Sequence, residues 1–551
     1  MFGREGTSDK MKASEQQSIT SAWMFSREYG RLAGAGGVKD VVSQLAKALA
    51  RWNNRKVSVV LPCYGFIDPQ KHGFSRLLDP LDPDRYLEFE VAMDYTDLER
   101  RERVGVWHQV QDRVHIYLLE AQRFLEKQSV YTYTREEAQR EPWKVQGQGH
   151  IDYFAMNVLL QKGGLDLIML LGEKPQIIHC HDGHTAIVPA IIRECSGYRN
   201  YYRDSSPVVT IHNAGIGYHQ EVSDLPFVQA ITELPGQVIQ NSLLEHSFDP
   251  FLAAAPYAAI STVSENYAHE LQQTDADYLT GWLGHRLLDS GVTIVGITNG
   301  IDMEAFNPAN YKKMGIAAGF KVNGKSGDLK GKYRCKKSLL AELCQLPDET
   351  DEERIGFLSP DPERPLFTFI GRLSEQKGVD ILTEALKLFL NDRVEASVVC
   401  LGNGSEELEQ ALAAVASDPR YQGQFCFLRA YNPQLANQIY AAGDFFVIPS
   451  RYEPCGLTDY IAQLFGNLPI VHHIGGLVKV VDGVTGFAYQ ENSPENLRQA
   501  MQRALTTYED KPLIRKMQSA AFNKIDKQHT WKQVMQTYVQ LYKNCRVDSR
   551  T

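Results

Sequence analysis

The feature that most constrains this chain is a recurring order of segments. A short apolar run ends in polar residues, a glycine-containing turn follows, and a helical stretch comes next. Residues 18–25 (SITSAWMF) read as a strand and 30–37 (GRLAGAGG) as a turn. Residues 38–52 (VKDVVSQLAKALARW) place Val38, Val41, Val42, Leu45 and Leu49 on one helical face, and 57–62 (VSVVLP) is a second buried strand. Strand, helix, strand with a short turn is a βαβ unit, which pairs its strands in parallel. The order recurs at QIIHCHDGH, PVVTIHNAG, YAAISTVSENYAHEL and TIVGITNGID, and again from LFTFIG through ASVVCLGNG, QFCFLRAYN, DFFVIPS, LPIVHH and GFAYQ. The fold class expected is therefore α/β. The repeated polar strand ends build one ligand-bearing edge, as in open parallel sheets.

Length divides this pattern. At 551 residues the chain exceeds a single core. The texture changes between 303 and 365, where Lys and Gly are frequent, a helix reads through KYRCKKSLLAELCQL, and a charged connector (PDETDEERIGFLSPDPERP) follows. The expected division is a disordered lead-in at 1–17, a first domain at 18–305 and a second at 306–529. The amphipathic helix at 530–545 is expected to pack back on the first domain. Between 80 and 150, VGVWHQV and VHIYLLE read as antiparallel strands.

A net charge of −9 makes the chain as a whole no polycation for nucleic acid. The longest apolar runs are too short to span a bilayer, so no membrane partner is expected. Nine scattered cysteines without a C-x-x-C pair suit a reducing, cytoplasmic setting.

Chemistry concentrates at the strand ends. Residues 450–458 (SRYEPCGLT) lie between an apolar run and a helical stretch, and the N–H groups of Gly456, Leu457 and Thr458 suit an anion. The same stretch also reads as an ordinary strand-to-helix turn with Glu453 solvated or beside the helix dipole. Arg372 and Lys377 follow another buried strand, and Arg can bind a phosphate in a forked way while Lys acts as a point charge. Gly402 and Gly404 lack the third glycine of a dinucleotide fingerprint, which sets a dehydrogenase aside. His179, His181, Asp182 and His184 make a zinc site thinkable. No second ligand cluster of suitable spacing appears, so a hydrogen-bonded Asp/His pair is the preferred reading and no metal is expected. His212 and Asn213 end a strand at the same edge as Asp182. Tyr431 offers a ring to a planar base, or is an ordinary exposed loop tyrosine.

Taken together, SRYEPCGLT, GNLPIVHHIGGL, AGAGGVKDVV, HCHDGHTA, VTIHNAG, ITNGID and GRLSEQKG resemble the bacterial glycogen and starch synthase family, in order and over residues 18–542. The resemblance implies a GT-B fold, two Rossmann-like domains facing each other across a deep cleft. It implies a retaining transfer of glucose from ADP-glucose or UDP-glucose to the non-reducing end of an α-1,4-glucan, with no metal or cofactor. It places Arg372 and Lys377 on the donor diphosphate, with the backbone of Gly36, Gly37, Gly456, Leu457 and Thr458. Glu453 is the implied catalytic carboxylate, with His212 and Asp182 at the reacting sugar. Asn213 and Asn299 come near the donor, and Tyr431 stacks on its base.

Four positions depart from the family pattern. Gly34 stands where the family has a lysine, with Lys39 no obvious substitute. Gly183 replaces a tryptophan and Asp459 an uncharged glutamine, and GGLVKVVDGVTGF is a short loop. Two competing expectations follow, a GT-B enzyme with another donor or a small acceptor, and a catalytically silent glucan- or nucleotide-binding protein.

Overall fold

The computed structural model describes residues 19–52, 55–323, 329–346 and 353–548. The expected lead-in at 1–17 and part of the expected connector lie outside them. The chain forms two compact units. The first runs to Thr298 and includes the helix that begins at Trp531; the second is Asn299–Thr530.

The first unit is built on a 10-stranded sheet. Its centre is β1 (Ser21–Phe25), flanked by β2 (Lys56–Pro62) and by Ile177–His181, both parallel to it. Val114–Glu120 continues the sheet beyond β2, and Arg101–Gln111 pairs with it antiparallel. On the other side lie Ser206–Ile211, Ala259–Thr262 and Val295–Gly296, all parallel. Strands buried along nearly their whole length require cover on both faces. Helix α1 (Val38–Arg51) buries Val41, Val42, Leu45 and Leu49 at helical spacing. Helix α2 (Tyr153–Leu170) is buried almost all round, as its apolar sequence demands. Its Gly164 lies against the Phe25 ring, where a Cβ would come within 2.4 Å. The C-terminal helix, Trp531–Asp548, packs on α1 and on the strand Ser206–Ile211, and the Trp531 indole donates to Gln44 at 2.5 Å.

The second unit holds a seven-stranded sheet. In spatial order it is Arg354–Gly356, Phe425–Leu428, Ser397–Leu401, Leu366–Ile370, Phe445–Ile448, Leu468–His472 and Phe487–Tyr489. All are parallel except Arg354–Gly356, which caps one edge antiparallel. Phe367, Phe369, Phe445, Val447 and Ile470 build its core with the helices Val379–Asn391 and Pro494–Tyr508. Asn299 belongs to this unit, because the N–H of Ile301 bonds to the His529 carbonyl at 2.9 Å and ties the start of the unit to its end.

Candidate functional site

In the second unit the strand Phe445–Ile448 leads into the turn at 450–457, and a helix of seven residues, Thr458–Leu464, follows. The carboxylate of Glu453 is mostly buried. Its Oε2 accepts from Lys377 Nζ at 2.6 Å and from Ser450 Oγ at 2.9 Å. The backbone of Glu453 rests on Gly475 and Gly476: the Gly476 N–H donates to the Glu453 carbonyl at 2.9 Å. A Cβ on Gly475 would lie 2.1 Å from that carbonyl oxygen, and one on Gly476 would lie 2.0 Å from the Cys455 oxygen. Only glycine admits this approach. Arg451 grips Asp380 with two bonds of 2.5 Å, fixing the turn to the helix Val379–Asn391.

Arg372 is exposed, and its guanidinium has no hydrogen-bond or ion-pair partner among the described residues. Lys377, read from sequence as a cation for phosphate, pairs with the Glu453 carboxylate. Gly456 has φ +70 and is followed by Leu457 at φ −112, ψ −24, and neither N–H has an acceptor among the described residues. Two successive N–H groups in such a left-then-right-handed pair form an anion-binding concavity. Asn299 is buried against Cys455, and its Oδ1 has no hydrogen-bond partner among the described residues. Tyr431 is 77% exposed, in the loop before the helix Pro433–Ala442.

In the first unit the strand Ile177–His181 ends at Asp182, which takes the left-handed conformation with φ +61, open to Asp and Asn more than to other side chains. Its Oδ1 accepts the backbone N–H of His212 at 2.6 Å and of Asn213 at 3.3 Å, joining two adjacent strand ends. Burial raises its pKa to about 7, against the lowering pull of those two N–H groups. His212 Nε2 lies 3.0 Å from His181 Nδ1, and His179 bonds to Thr210 Oγ1 at 2.7 Å and Tyr542 OH at 2.8 Å. Burial drives all three imidazoles down, His179 and His212 to about 3 and His181 well below its usual value. Within the His181–His212 contact, one nitrogen therefore donates and the other accepts between neutral rings. Among the described residues, no group of three His, Cys, Asp or Glu side chains is placed to hold a metal ion.

The glycine turn before α1 corrects one reading. Glu28 Oε2 accepts the N–H of Ala35 at 2.9 Å and of Gly36 at 3.3 Å, and Oε1 accepts from Tyr131 OH at 2.6 Å. A protein carboxylate thus occupies the N–H of Gly36 that the sequence reading offers to phosphate. Gly37, at φ −74 and ψ −18, caps α1 with no side-chain bond. Glu28 lies 7 residues before Ala35, and nothing in the local pattern marks it.

Residues 22–285 match the family model "Starch synthase catalytic domain", and residues 364–507 match "Glycosyl transferases group 1". A glycogen synthase of Streptococcus pneumoniae is 29% identical over 523 residues, covering 92% of this chain and 96% of its own. One of Vibrio cholerae is 29% identical over 548 residues, covering 96% and 99%. The chain is thus similar to glycogen synthases along nearly its whole length. Among solved structures, the catalytic domain of starch synthase IV from Arabidopsis thaliana, bound to ADP and acarbose, superposes with a TM-score of 0.75 at 24% identity, covering 96% of this chain and 100% of that one. Sucrose-phosphate synthase from Thermosynechococcus elongatus gives 0.53 at 16%, covering 96% and 99%. These likenesses give the fold as GT-B, with two Rossmann-like domains, and the chain is a glycosyltransferase.

The departures from the synthase pattern have structural partners. A Cβ on Gly34 would lie 2.4 Å from Lys39 Cδ, so the Lys39 side chain fills the space that a residue-34 side chain would take. A Cβ on Gly183 would lie 2.2 Å from the His219 carbonyl oxygen, so backbone occupies the place of the family's tryptophan. Asp459 faces Lys479, a residue the sequence reading passed over inside GGLVKVVDGVTGF. The signal for it was two unlike charges, both at departures from the family pattern. No helix among the described residues is long and apolar enough to cross a membrane.

Proposed function

We propose that the chain is a retaining glucosyltransferase that moves glucose from ADP-glucose to the non-reducing end of an α-1,4-glucan. One observation carries this reading: in the second unit a mostly buried carboxylate, Glu453, is held by Lys377 and Ser450 beside two unoccupied N–H groups. The donor diphosphate is assigned to Arg372 and to the N–H groups of Gly456 and Leu457, with Thr458 following. As the bond to the sugar breaks, negative charge gathers on the leaving diphosphate, and donors already aimed at it lower the barrier. Glu453 is assigned to positive character on the sugar ring or to its hydroxyls, and Lys377 fixes where that carboxylate stands.

In the first unit, His212 is assigned to the reacting sugar as a neutral hydrogen-bonding group. Asp182 sets its backbone and that of Asn213. Asn299 and Tyr431 are assigned to the nucleotide side, with Tyr431 stacking on the base. Protein cations supply the charge compensation, so the reaction is read as metal- and cofactor-independent, in the cytoplasm. Support for adenine as the base comes from the ADP bound by the Arabidopsis relative.

Transfer of labelled glucose from ADP-, UDP- and GDP-glucose onto glycogen tests the reading. Incorporation into glycogen with ADP-glucose as the best donor is expected. No incorporation from any donor overturns it, and preference for another base overturns the donor assignment alone.

A further inference from the structure

Lys479 follows Gly475-Gly476-Leu477, and its side chain is only 8% exposed. Its Nζ donates to the Cys455 carbonyl, to that of Gly456 at 2.8 Å and to that of Gly476 at 3.0 Å. Those bonds use all three ammonium hydrogens. Asp459 is fully buried, and its Oδ1 lies 3.1 Å from the same Nζ. Asp459 thus supplies the counter-charge to the ammonium. The Tyr460 ring completes the enclosure, 4.4 Å from Nζ. Burying an ammonium is costly unless its charge and hydrogens are matched, and here both are.

The consequence lies on the far side of the turn. A trans peptide plane points its C=O and its N–H in opposite directions. The Cys455 carbonyl shares its plane with the Gly456 N–H, and the Gly456 carbonyl shares its plane with the Leu457 N–H. Holding both carbonyls on one ammonium therefore turns both N–H groups to the opposite side. These are the two that have no acceptor among the described residues.

We infer that Lys479 is a positioning residue that aims the Gly456 and Leu457 N–H groups at the donor's diphosphate, with Asp459 balancing its charge. This rests on the donor reading of the turn given above. Lys479 touches protein carbonyls, so it acts on the donor through the backbone.

The test compares the full-length protein with Lys479→Met and Lys479→Arg, measuring ADP binding by calorimetry, KM for ADP-glucose and for glycogen, and thermal unfolding. Lys479→Met is expected to weaken ADP and raise the donor KM by about tenfold or more, with glycogen KM within about twofold. Lys479→Arg, which keeps charge and donors, is expected to recover most of the loss. A folded Lys479→Met that binds ADP as the parent does overturns the inference while leaving the donor reading standing. A parent that binds no ADP overturns the donor reading, and the inference with it. Should Lys479→Met fail to fold, Lys479→Gln is read by the same criteria, since its neutral amide keeps two of the donors.

Discussion

Lys377 Nζ stands 2.6 Å from Glu453 Oε2, and Ser450 Oγ donates to that same oxygen. One carboxylate oxygen therefore accepts both bonds, while Oε1 has no hydrogen-bond partner among the described residues. Glu453→Gln keeps the shape and removes the charge. Turnover is expected to fall by about 10²–10³-fold, the scale of losing one preorganised electrostatic group. The melting temperature should change little, because the backbone of Glu453 is held by Gly475 and Gly476 rather than by its side chain. Steady-state kinetics and a thermal melt check both parts. Turnover within a few-fold of the parent would refute the role.

Acid sensitivity follows from the buried imidazoles. His212 has its pKa lowered to about 3 by burial, from an ordinary 6.5. Below 6.5 the unfolded chain takes up a proton at this position that the folded chain refuses, so stability is lost as pH falls from 6.5 towards 3. Each such group gives a slope of up to about 1.4 kcal/mol per pH unit. His212→Asn titrates in neither state, so unfolding free energy measured between pH 6.5 and 4 should fall less steeply for the variant, by up to one proton. The comparison is differential because Asp182, raised to about 7, carries the opposite sign over the same range. Equal slopes for the two proteins would show that His212 is charged when folded.

Much of this was legible in the sequence, because strand, glycine turn and helix leave a periodic trace. The parallel order, the helix at 38–51 and the antiparallel pair 101–111 and 114–120 all follow from spacing and turn residues. Asp182, His212 and Asn213 were grouped correctly by their shared strand edge, and the backbone bonds from residues 212 and 213 to Asp182 are the physical form of that grouping. What stayed hidden were the partners that charged side chains find once the chain is packed. Nothing local says that Glu28 fills the glycine turn, that Lys377 turns to Glu453, or that Lys479 sits beneath Cys455 and Gly456. Position on an edge is a local property, whereas the partner of a charge is a property of the packed chain.

Gly183 gives a prediction about the first unit alone. Any side chain there meets the His219 carbonyl oxygen at 2.2 Å, and backbone cannot step aside as a side chain can. His219 is itself held, with Nδ1 2.8 Å from Asp249 Oδ2 and Nε2 2.6 Å from the Ala214 carbonyl. Gly183→Ala is expected to destabilise by about 1–3 kcal/mol, the usual range for overpacking. Chemical denaturation measures this, and a change under about 0.5 kcal/mol, ordinary for an unconstrained surface site, would show that the loop at 214–219 yields freely.

Gly34 and Lys39 make the sharper case, because two positions compete for one space. A Cβ at residue 34 would lie 2.4 Å from Lys39 Cδ, 2.7 Å from Lys39 Cβ and 2.9 Å from Glu28 Oε2. The Lys39 ammonium has no hydrogen-bond or ion-pair partner among the described residues, so the cation that reaches this turn comes from the helix rather than from the loop. Gly34→Lys alone then crowds a filled corridor and should cost about 1–3 kcal/mol of stability. Lys39→Gly alone, which removes the crowding Cβ as well as the ammonium, should cost about 1 kcal/mol of stability and lower turnover, because the turn loses its cation. Together the two substitutions move the lysine from one side of the corridor to the other. The double variant should recover stability and turnover relative to either single change, with a coupling of at least about 1 kcal/mol in a double-mutant cycle. Strict additivity in both readouts would mean that the two side chains never compete, and that Lys39 does not stand in for the missing lysine.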